Sequence, residues 1–273
     1  MRSHVPHAAR GIPPGRPPAS PDLRVEKRLL RALGPDAGGL LVGMDEVGRG
    51  ALAGPVTVGA VLIDLSVRRV PAGLRDSKLL APAERTRLVP RIRAWARCWG
   101  VGSASAVEID QVGILCALRL AGERALGQLA DCPDVVLLDG NYDYLNRPQL
   151  PATLFDPPAA DPAPARLPVT TQIKADLRCA AVAAASVLAK TARDALMVAM
   201  SADHPEYGWE DNKGYSAPAH STALRRHGPC VQHRRSWRLP VDGWAGWTGL
   251  TAAAQPSSDQ LEVLFDAEPM LSA

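Results

Sequence analysis

The chain reads GMDEVGRGALAGP at residues 43–55, and this stretch joins two apolar runs. The run at residues 38–44 is compact and the run at residues 55–65 is rich in Val and Ile, so both are predicted to be strands. The glycines between them favour a turn. Asp45 and Glu46 therefore stand side by side at the end of the first strand.

Further elements follow in a mixed order along the chain. Apolar periodicity predicts helices at residues 22–33, 82–95, 109–129 and 176–200, and strands at residues 98–107, 133–138 and 169–173. Residues 147–167 are rich in Pro and have few apolar anchors, which is typical of an extended loop. Short helical patterns continue to residue 247. The pattern predicts one α/β domain with a small helical C-terminal lobe.

Composition restricts the class of protein. The chain has 273 residues, of which 47% are hydrophobic and 22% charged, so it holds a packed core. Five scattered cysteines without C-x-x-C spacing are expected to be reduced core thiols. The N-terminal residues lack an apolar signal region, and no apolar stretch is long enough to span a bilayer. We therefore expect a cytoplasmic protein.

Two further acids resemble the first pair in their placement. Asp139 ends the strand predicted at residues 133–138, and Asp176 follows Lys174 at the start of a helix. Oxygen ligands of this kind suit Mg²⁺ or Mn²⁺. A pair of such ions stabilises the attacking and leaving oxygens when a phosphodiester is hydrolysed. Any one of these Asp residues could instead be a helix N-cap or a turn former.

The two adjacent acids raise a geometric question. Neighbouring side chains on a regular strand point to opposite faces, so Asp45 and Glu46 share one site only if the backbone bends at Gly48 and Gly50. The residues G-R-G-A-L-A also satisfy a dinucleotide-binding pattern, but that pattern must open a helix, and a strand follows here. A GRG turn instead exposes backbone groups that can approach a sugar 2′-hydroxyl and a phosphate.

The sequence resembles ribonuclease HII in six blocks that occur in order. They are GMDEVGRGALAGP, DSK at 76–78, LLDG at 137–140, KAD at 174–176, AAASVLAKTARD at 183–194 and KGY at 213–215. The resemblance implies an α/β ribonuclease H-like fold, a mixed central sheet flanked by helices, with the small helical lobe after it. It also implies a catalytic domain at residues 39–200 and a substrate-binding lobe at 201–247. Composition, by contrast, predicts that residues 1–38 are a disordered, basic extension with a short helix and that residues 248–273 are a flexible tail, and both tails depart from the family pattern.

The resemblance assigns roles to individual residues. It implies that Asp45, Glu46, Asp139 and Asp176 are catalytic and bind two divalent metal ions, Mn²⁺ or Mg²⁺. It further implies that the backbone of the GRG turn reads the 2′-hydroxyl at the RNA-to-DNA junction. The residues of this reader are Gly48, Arg49 and Gly50.

The KGY block adds a substrate contact. The resemblance implies that Tyr215 packs on the sugar at the junction, and the adjacent Lys213 favours this interpretation over a tyrosine that packs only within the lobe. Aromatic stacking on a nucleotide is physically reasonable.

Basic and polar side chains could hold phosphate groups. Ser186, Lys190 and Arg193 share one face of the long helix, and the alternative is an ion pair with Asp194. In the C-terminal lobe His233, Arg234 and Arg235 match a basic block of the family that would grip the duplex backbone. The alternative there is a solvated basic face.

The tail contains a short apolar motif. Gln260, Leu261, Val263 and Phe265 resemble the peptide by which bacterial proteins bind the sliding clamp, although such a string also forms short packing helices. Otherwise the chain is expected to be a monomer.

The expected activity is hydrolysis of the RNA strand of RNA/DNA hybrids and nicking on the 5′ side of single ribonucleotides in duplex DNA. The products would carry 3′-hydroxyl and 5′-phosphate ends, in ribonucleotide removal and primer processing. Two alternatives stay open: a related two-metal nuclease or resolvase that acts on DNA structures, and a non-catalytic nucleic-acid-binding module.

Overall fold

The computed structural model describes residues 20–34, 38–146, 167–241 and 243. The predictions for the N-terminal extension up to residue 19, for most of the Pro-rich loop and for the C-terminal tail lie outside these residues. The clamp-like motif from Gln260 to Phe265 lies outside them as well.

Within the described residues, five strands form one mixed sheet. They are β1 (Leu41–Val47), β2 (Val56–Ile63), β3 (Cys98–Ala104), β4 (Val135–Asp139) and β5 (Val169–Gln172). Their spatial order is β3-β2-β1-β4-β5, in which β1, β2 and β3 are antiparallel and β4 and β5 run parallel to β1. The C-terminal ends of β1, β4 and β5 therefore meet at one edge of the sheet.

Helices cover both faces of this sheet, which confirms the ribonuclease H-like arrangement. They are α1 (Arg24–Ala32), α2 (Pro82–Trp95), α3 (Ala106–Leu126), α4 (Ala180–Ser201), α5 (Trp209–Asn212) and α6 (Pro218–His227). One predicted boundary is wrong, because Asp176 does not begin the long helix. Lys174 adopts a left-handed φ of 57°, and Asp176 lies in a separate 3-10 turn, Ala175–Leu177.

The long helix α4 lies unusually close to the sheet because two glycines face it. A Cβ on Gly43 would lie 2.5 Å from the carbonyl carbon of Ala181, and one on Gly59 would lie 2.3 Å from the carbonyl oxygen of Ala185. Only glycine permits this approach. The residue after Ala185 is Ser186, which is thereby brought beside the end of β1.

The two faces of the sheet have separate cores. Leu41, Val61 and Leu137 pack with α1, α2 and α4, while Val42 and Leu138 pack with α3 on the other face. This alternation is what a strand buried on both faces produces. It also predicts the face on which each strand-end acid lies.

The C-terminal segment packs on the turn after β1. Leu52, Ala53 and Met197 form one apolar cluster with Tyr207, Trp209, Ala223, Leu224 and Leu239. The cluster crosses the predicted boundary between residues 200 and 201, and the division into a catalytic domain and a lobe stays a prediction.

Two expectations from composition have structural counterparts. All five cysteines are free, but Cys179 alone of the five is buried and Cys132 is exposed, so the expectation of five core thiols is wrong. Within the described ranges, none of the helices has the length and apolar character needed to cross a membrane.

Candidate active site

Asp45 and Glu46 lie on a regular strand. Asp45 pairs with Gly59 and Glu46 with Val58, and the ladder continues through Val47. The bend expected at Gly48 and Gly50 therefore comes after the two acids and does not turn them to one face. Asp45 shares the α4 face with Ser186, and Glu46 lies on the α3 face. The two carboxylates nevertheless lie near each other at the C-terminal end of β1, because the strand ends one residue later, at Val47.

A hydrogen bond links the Asp139 carboxylate to the backbone of the residue before Asp176. Asp139 is the last residue of β4, and its Oδ1 accepts a hydrogen bond of 2.6 Å from the amide of Ala175. The left-handed Lys174 turns that amide towards β4. Asp176, the next residue, is consequently held at the same edge and is only 4% exposed.

Burial and mutual repulsion act on these carboxylates together. Burial raises the pKa of Asp45 well above its usual range, and the charges of Glu46 and Asp139 raise it further. Burial and the charge of Asp139 also raise the pKa of Glu46 and of Asp176, although Arg49 opposes the rise at Glu46 and Lys78 opposes it at Asp176. The four acids thus form one electrostatic unit.

The oxygen atoms of this unit do not converge on a single point. Across the described ranges, no three His, Cys, Asp or Glu side chains form a ready-made metal-binding group. Lys78 instead places its Nζ 3.5 Å from Asp176 Oδ2. Burial lowers the pKa of Lys78, but Asp45, Asp76 and Asp176 outweigh it and the net shift is upward. A cationic group already compensates part of the charge of the acids.

Tyr144 contributes a buried hydroxyl to this edge. The residue is 2% exposed, and its hydroxyl has no hydrogen-bond partner among the described residues. Burial raises the pKa of Tyr144 well above its ordinary value, and the charges of Glu46, Asp45 and Asp139 add to the shift. A buried donor that faces carboxylates without a partner is rare in a structural core. It is a feature expected beside a ligand site.

The guanidinium of Arg234 holds the GRG turn by hydrogen bonds to its backbone. It donates hydrogen bonds of 2.6 Å to the carbonyl of Gly48, 2.8 Å to that of Arg49 and 3.1 Å to that of Gly54. Arg234 is 0% exposed. The phosphate contact expected for Arg234 is therefore replaced by a structural role, because its donors are directed at backbone carbonyls inside the protein.

Arg193 supports the same region from α4. It is 1% exposed and donates hydrogen bonds to the carbonyls of Pro55, Lys213 and Ala53. It also joins the GRG turn to the KGY block, since the Tyr215 ring centroid lies 5.2 Å from the Arg193 guanidinium and the Tyr215 hydroxyl accepts a hydrogen bond of 3.1 Å from the Gly48 amide.

Ser186 is a partner of the acids rather than a surface contact. It is 3% exposed, its hydroxyl lies 2.8 Å from the Ser77 hydroxyl, and its proximity to Asp45 opposes the rise in the pKa of that carboxyl. The expected phosphate contact does not fit this buried position. Ser186 instead favours the ionised form of Asp45.

The basic side chains expected to bind substrate occupy different settings. Lys190 forms an ion pair of 2.6 Å with Asp194, which is the alternative that the sequence leaves open. Lys213 has a left-handed φ of 51°, and its ammonium donates to the carbonyl of Glu210. The Arg235 amide donates to Asp110, and the residue is partly exposed. Of the basic block, Arg235 alone keeps access to solvent, since His233 and Arg234 are buried.

Sequence reasoning misses three residues of this site. Ser77 and Lys78 belong to the DSK block, which is part of the family pattern, but nothing in their spacing predicts contact with Ser186 or Asp176. Tyr144 has no sequence signal beyond its place five residues after Asp139.

Comparisons with known proteins identify the family to which the chain belongs. The family model of ribonuclease HII matches residues 42–239. A ribonuclease HII from Streptomyces coelicolor is 46% identical over 85% of this chain and 90% of its own length. The PCNA:RNase HII complex from Archaeoglobus fulgidus has a TM-score of 0.54 at 24% identity, covering 73% of this chain and 96% of that one. Bst-RNase HIII in complex with Mn²⁺ has a TM-score of 0.51 at 20% identity, covering 69% of this chain and 63% of that one. The chain belongs to the ribonuclease HII family, whose members are metal-dependent endoribonucleases that cut the RNA of RNA/DNA hybrids.

Proposed function

We propose that this chain nicks duplex DNA on the 5′ side of single embedded ribonucleotides, in addition to cutting RNA/DNA hybrids, and leaves 3′-hydroxyl and 5′-phosphate ends. One observation carries the proposal. A group of four acids, of which Asp45 and Asp176 are buried and the other two half-buried, lies at the same sheet edge as a GRG turn in which Arg49 and Gly50 are exposed.

The acids would hold two divalent cations, Mn²⁺ or Mg²⁺. Their donors are all carboxylate oxygens, which is the chemistry that these hard cations prefer. The mutual repulsion of the acids and the unpartnered Tyr144 hydroxyl support the fit. Bound cations would activate the attacking water and stabilise the charge on the leaving oxygen. Rotation of the carboxylates about their side-chain bonds would close the ligand set.

The protein groups around the acids set their orientation. The Ala175 amide holds the Asp139 carboxylate, and the nearby Ser186 hydroxyl favours the ionised form of Asp45. The ammonium of Lys78 offsets part of the negative charge that a phosphate would otherwise meet. Of these groups Lys78 is exposed, and we place it on the phosphate side of the site.

The GRG turn would supply the discrimination between ribose and deoxyribose. Gly50 is exposed, and a Cβ built there would meet no atom within 4 Å. The fold itself therefore does not require glycine at position 50. A need for close approach by a ribose would account for it. Tyr215 lies against the same turn through Gly48 and would pack on the sugar at the junction.

Lys190, Lys213 and Arg235 remain proposed contacts to the substrate backbone. Lys190 and Lys213 could each exchange a present partner for a phosphate, and Arg235 is partly exposed. The duplex would bind through such contacts with a strong dependence on salt.

A second proposal concerns the tail. The motif Gln260, Leu261, Val263 and Phe265 would bind a sliding clamp, as the archaeal neighbour is found in complex with PCNA. Phe265→Ala should abolish co-elution with the clamp on gel filtration, with Phe155→Ala as the matched control. Undiminished co-elution would reject the motif.

We also propose that the protein acts as a cytoplasmic monomer.

The proposed activity is tested with a labelled DNA duplex that contains one ribonucleotide, beside an all-DNA duplex, in Mg²⁺, Mn²⁺ or EDTA. We expect a metal-dependent nick on the 5′ side of the ribonucleotide only. Equal cutting of both duplexes would instead support a DNA nuclease. Salt-sensitive binding without cleavage would support a binding module.

A further inference from the structure

Two buried histidines lie next to the backbone of Tyr215. His220 on α6 and His233 are both 0% exposed, and their ring centroids are 5.3 Å apart. Tyr207 and Trp209 pack around them, with the Tyr207 ring 4.6 Å from His233 and stacked on Trp209 at 5.3 Å. The histidines therefore share a buried aromatic pocket.

The partners of these rings fix the position of each proton. His220 Nδ1 lies 2.9 Å from the carbonyl of Tyr215, which can only accept, so Nδ1 carries the hydrogen. His220 Nε2 must then accept, and it faces the Trp209 indole N–H at 3.3 Å and His233 Nε2 at 3.0 Å. His233 consequently carries its hydrogen on Nε2.

The remaining nitrogen leads to the same assignment. His233 Nδ1 must accept, and it lies 3.1 Å from the amide of Cys230 and 3.3 Å from its thiol, both of which are donors. When both rings are neutral, each ring nitrogen meets a group of the opposite role, and the single lone pair of each accepting nitrogen is shared between two donors. The donors point in one direction, from Cys230 through His233 and His220 to Tyr215.

The surroundings favour the neutral rings. Burial lowers the pKa of His220, and burial followed by the repulsion that a protonated His220 would exert lowers that of His233 to about 3. The Cys230 thiol and the Tyr207 phenol also pack against His233, and the more distant His204 and Arg235 lower its pKa further. A second proton on either ring would face the N–H group of Trp209 or of Cys230.

The end of this chain of contacts is the proposed reader of the substrate. The Tyr215 carbonyl accepts a hydrogen bond of 2.8 Å from the Ala217 amide as well as the one from His220. His220 is therefore the side chain that holds this carbonyl. At the other end of the residue, the phenol oxygen accepts from Gly48. Tyr215 is therefore held between the relay and the GRG turn.

We propose that His220 and His233 form a neutral, one-directional hydrogen-bond relay that positions Tyr215 against the GRG turn. They are positioning residues, since neither touches the substrate or the acids. The effect on cleavage rests on the proposed function of Tyr215, whereas the relay itself does not.

The relay is tested first by NMR of ¹⁵N-histidine-labelled protein, which distinguishes the two neutral tautomers. We expect a hydrogen on Nδ1 of His220 and on Nε2 of His233, unchanged between about pH 5 and pH 8. The opposite tautomer at either ring, or protonation of either ring in this range, would overturn the relay whatever the activity of the protein.

The positioning role is tested by paired variants. His220→Asn keeps a donor near the Nδ1 position, and His220→Leu removes it. We expect His220→Leu to lower kcat/KM on the single-ribonucleotide duplex about tenfold and to shift the Gly48 amide resonance, with His220→Asn restoring most of both. Equal loss in both variants would overturn the positioning role.

Two control variants distinguish positioning of Tyr215 from general loosening of the lobe. Tyr207→Phe removes the hydrogen bond from the Tyr207 hydroxyl to the Gly228 carbonyl in the same pocket and leaves the relay intact. A loss of kcat/KM equal to that of His220→Leu would show such loosening and overturn the proposal. If Tyr215→Ala discriminates between ribonucleotide and deoxyribonucleotide as well as the wild type, Tyr215 does not read the substrate. The expected effect of the histidine variants on cleavage then fails as well, but the tautomers still test the relay itself.

Discussion

Replacement of Gly48 by alanine tests how tightly the GRG turn is built into the fold. Gly48 has φ 81°, and a Cβ there would lie 2.1 Å from Arg193 Nε and 2.7 Å from Arg193 Cδ. Alanine in the left-handed region costs about 1 to 2 kcal/mol. Arg193 must also move, and each hydrogen bond that its charged group loses costs about 1.5 to 3 kcal/mol.

The sum of these terms gives the expected size of the effect. The left-handed backbone and the loss of one Arg193 hydrogen bond together lower the free energy of unfolding by about 2.5 to 5 kcal/mol. The partners at risk are the carbonyls of Pro55, Lys213 and Ala53. This is a large part of the stability of an ordinary domain.

Gly50→Ala is the matched control two residues away. Gly50 does not have a positive φ, and its Cβ position is open. We expect the free energy of unfolding to change by less than about 0.5 kcal/mol. Cleavage at a single ribonucleotide should nevertheless fall at least about tenfold, because a methyl group would stand where the ribose approaches.

Both variants are measured by urea denaturation followed by circular dichroism and by single-turnover cleavage. Equal stability of Gly48→Ala and Gly50→Ala would refute the packing of the turn on Arg193. Wild-type cleavage by Gly50→Ala would refute the reading of ribose by the turn.

Three further changes test other parts of the structure. Gly59→Ala should unfold the protein or destabilise it by about 3 kcal/mol or more, since its Cβ would lie 2.3 Å from the Ala185 carbonyl oxygen; a stable variant in urea denaturation would contradict the close packing of α4. Tyr144→Phe should leave the unfolding free energy unchanged or slightly raised, because it removes a buried hydroxyl without a described partner; a loss above about 1 kcal/mol would show that the hydroxyl has one. His233 has its pKa lowered from 6.5 to about 3, so the unfolded chain binds more protons and stability should fall as pH drops from about 6.5 towards 3. The variant His233→Gln should flatten that part of the stability curve, and an unchanged slope would exclude His233 as its source.

Much of the fold is predictable because its main helices are long and its central strands are continuous apolar runs. The prediction of a helix at residues 82–95 agrees with α2 (Pro82–Trp95), where Pro82 begins the helix and the apolar spacing is regular. Sequence pattern places the start of α4 too early because KAD is helical in composition. The left-handed Lys174 breaks the helix there, and local propensity does not reveal that conformation.

The acids can be predicted from the sequence, but the groups that organise them cannot. Strand ends and family blocks identify Asp45, Glu46, Asp139 and Asp176, and the shared edge follows from parallel strands. The burial of Arg234 depends on contacts with a turn 180 or more residues away in the chain. Sequence spacing carries no information about such contacts, so the charge of Arg234 predicts a surface position that the fold does not give it.

The most direct test of the carboxylate site is single-turnover cleavage by Asp45→Asn on the single-ribonucleotide duplex in Mn²⁺, with duplex affinity measured in parallel. The control is Asp131→Asn, which changes an acid that precedes β4 and pairs with Arg97. We predict that Asp45→Asn binds the duplex normally but cleaves it on the order of a thousandfold more slowly, whereas Asp131→Asn cleaves at the normal rate. Normal cleavage by Asp45→Asn would contradict the assignment of the four acids as the catalytic centre.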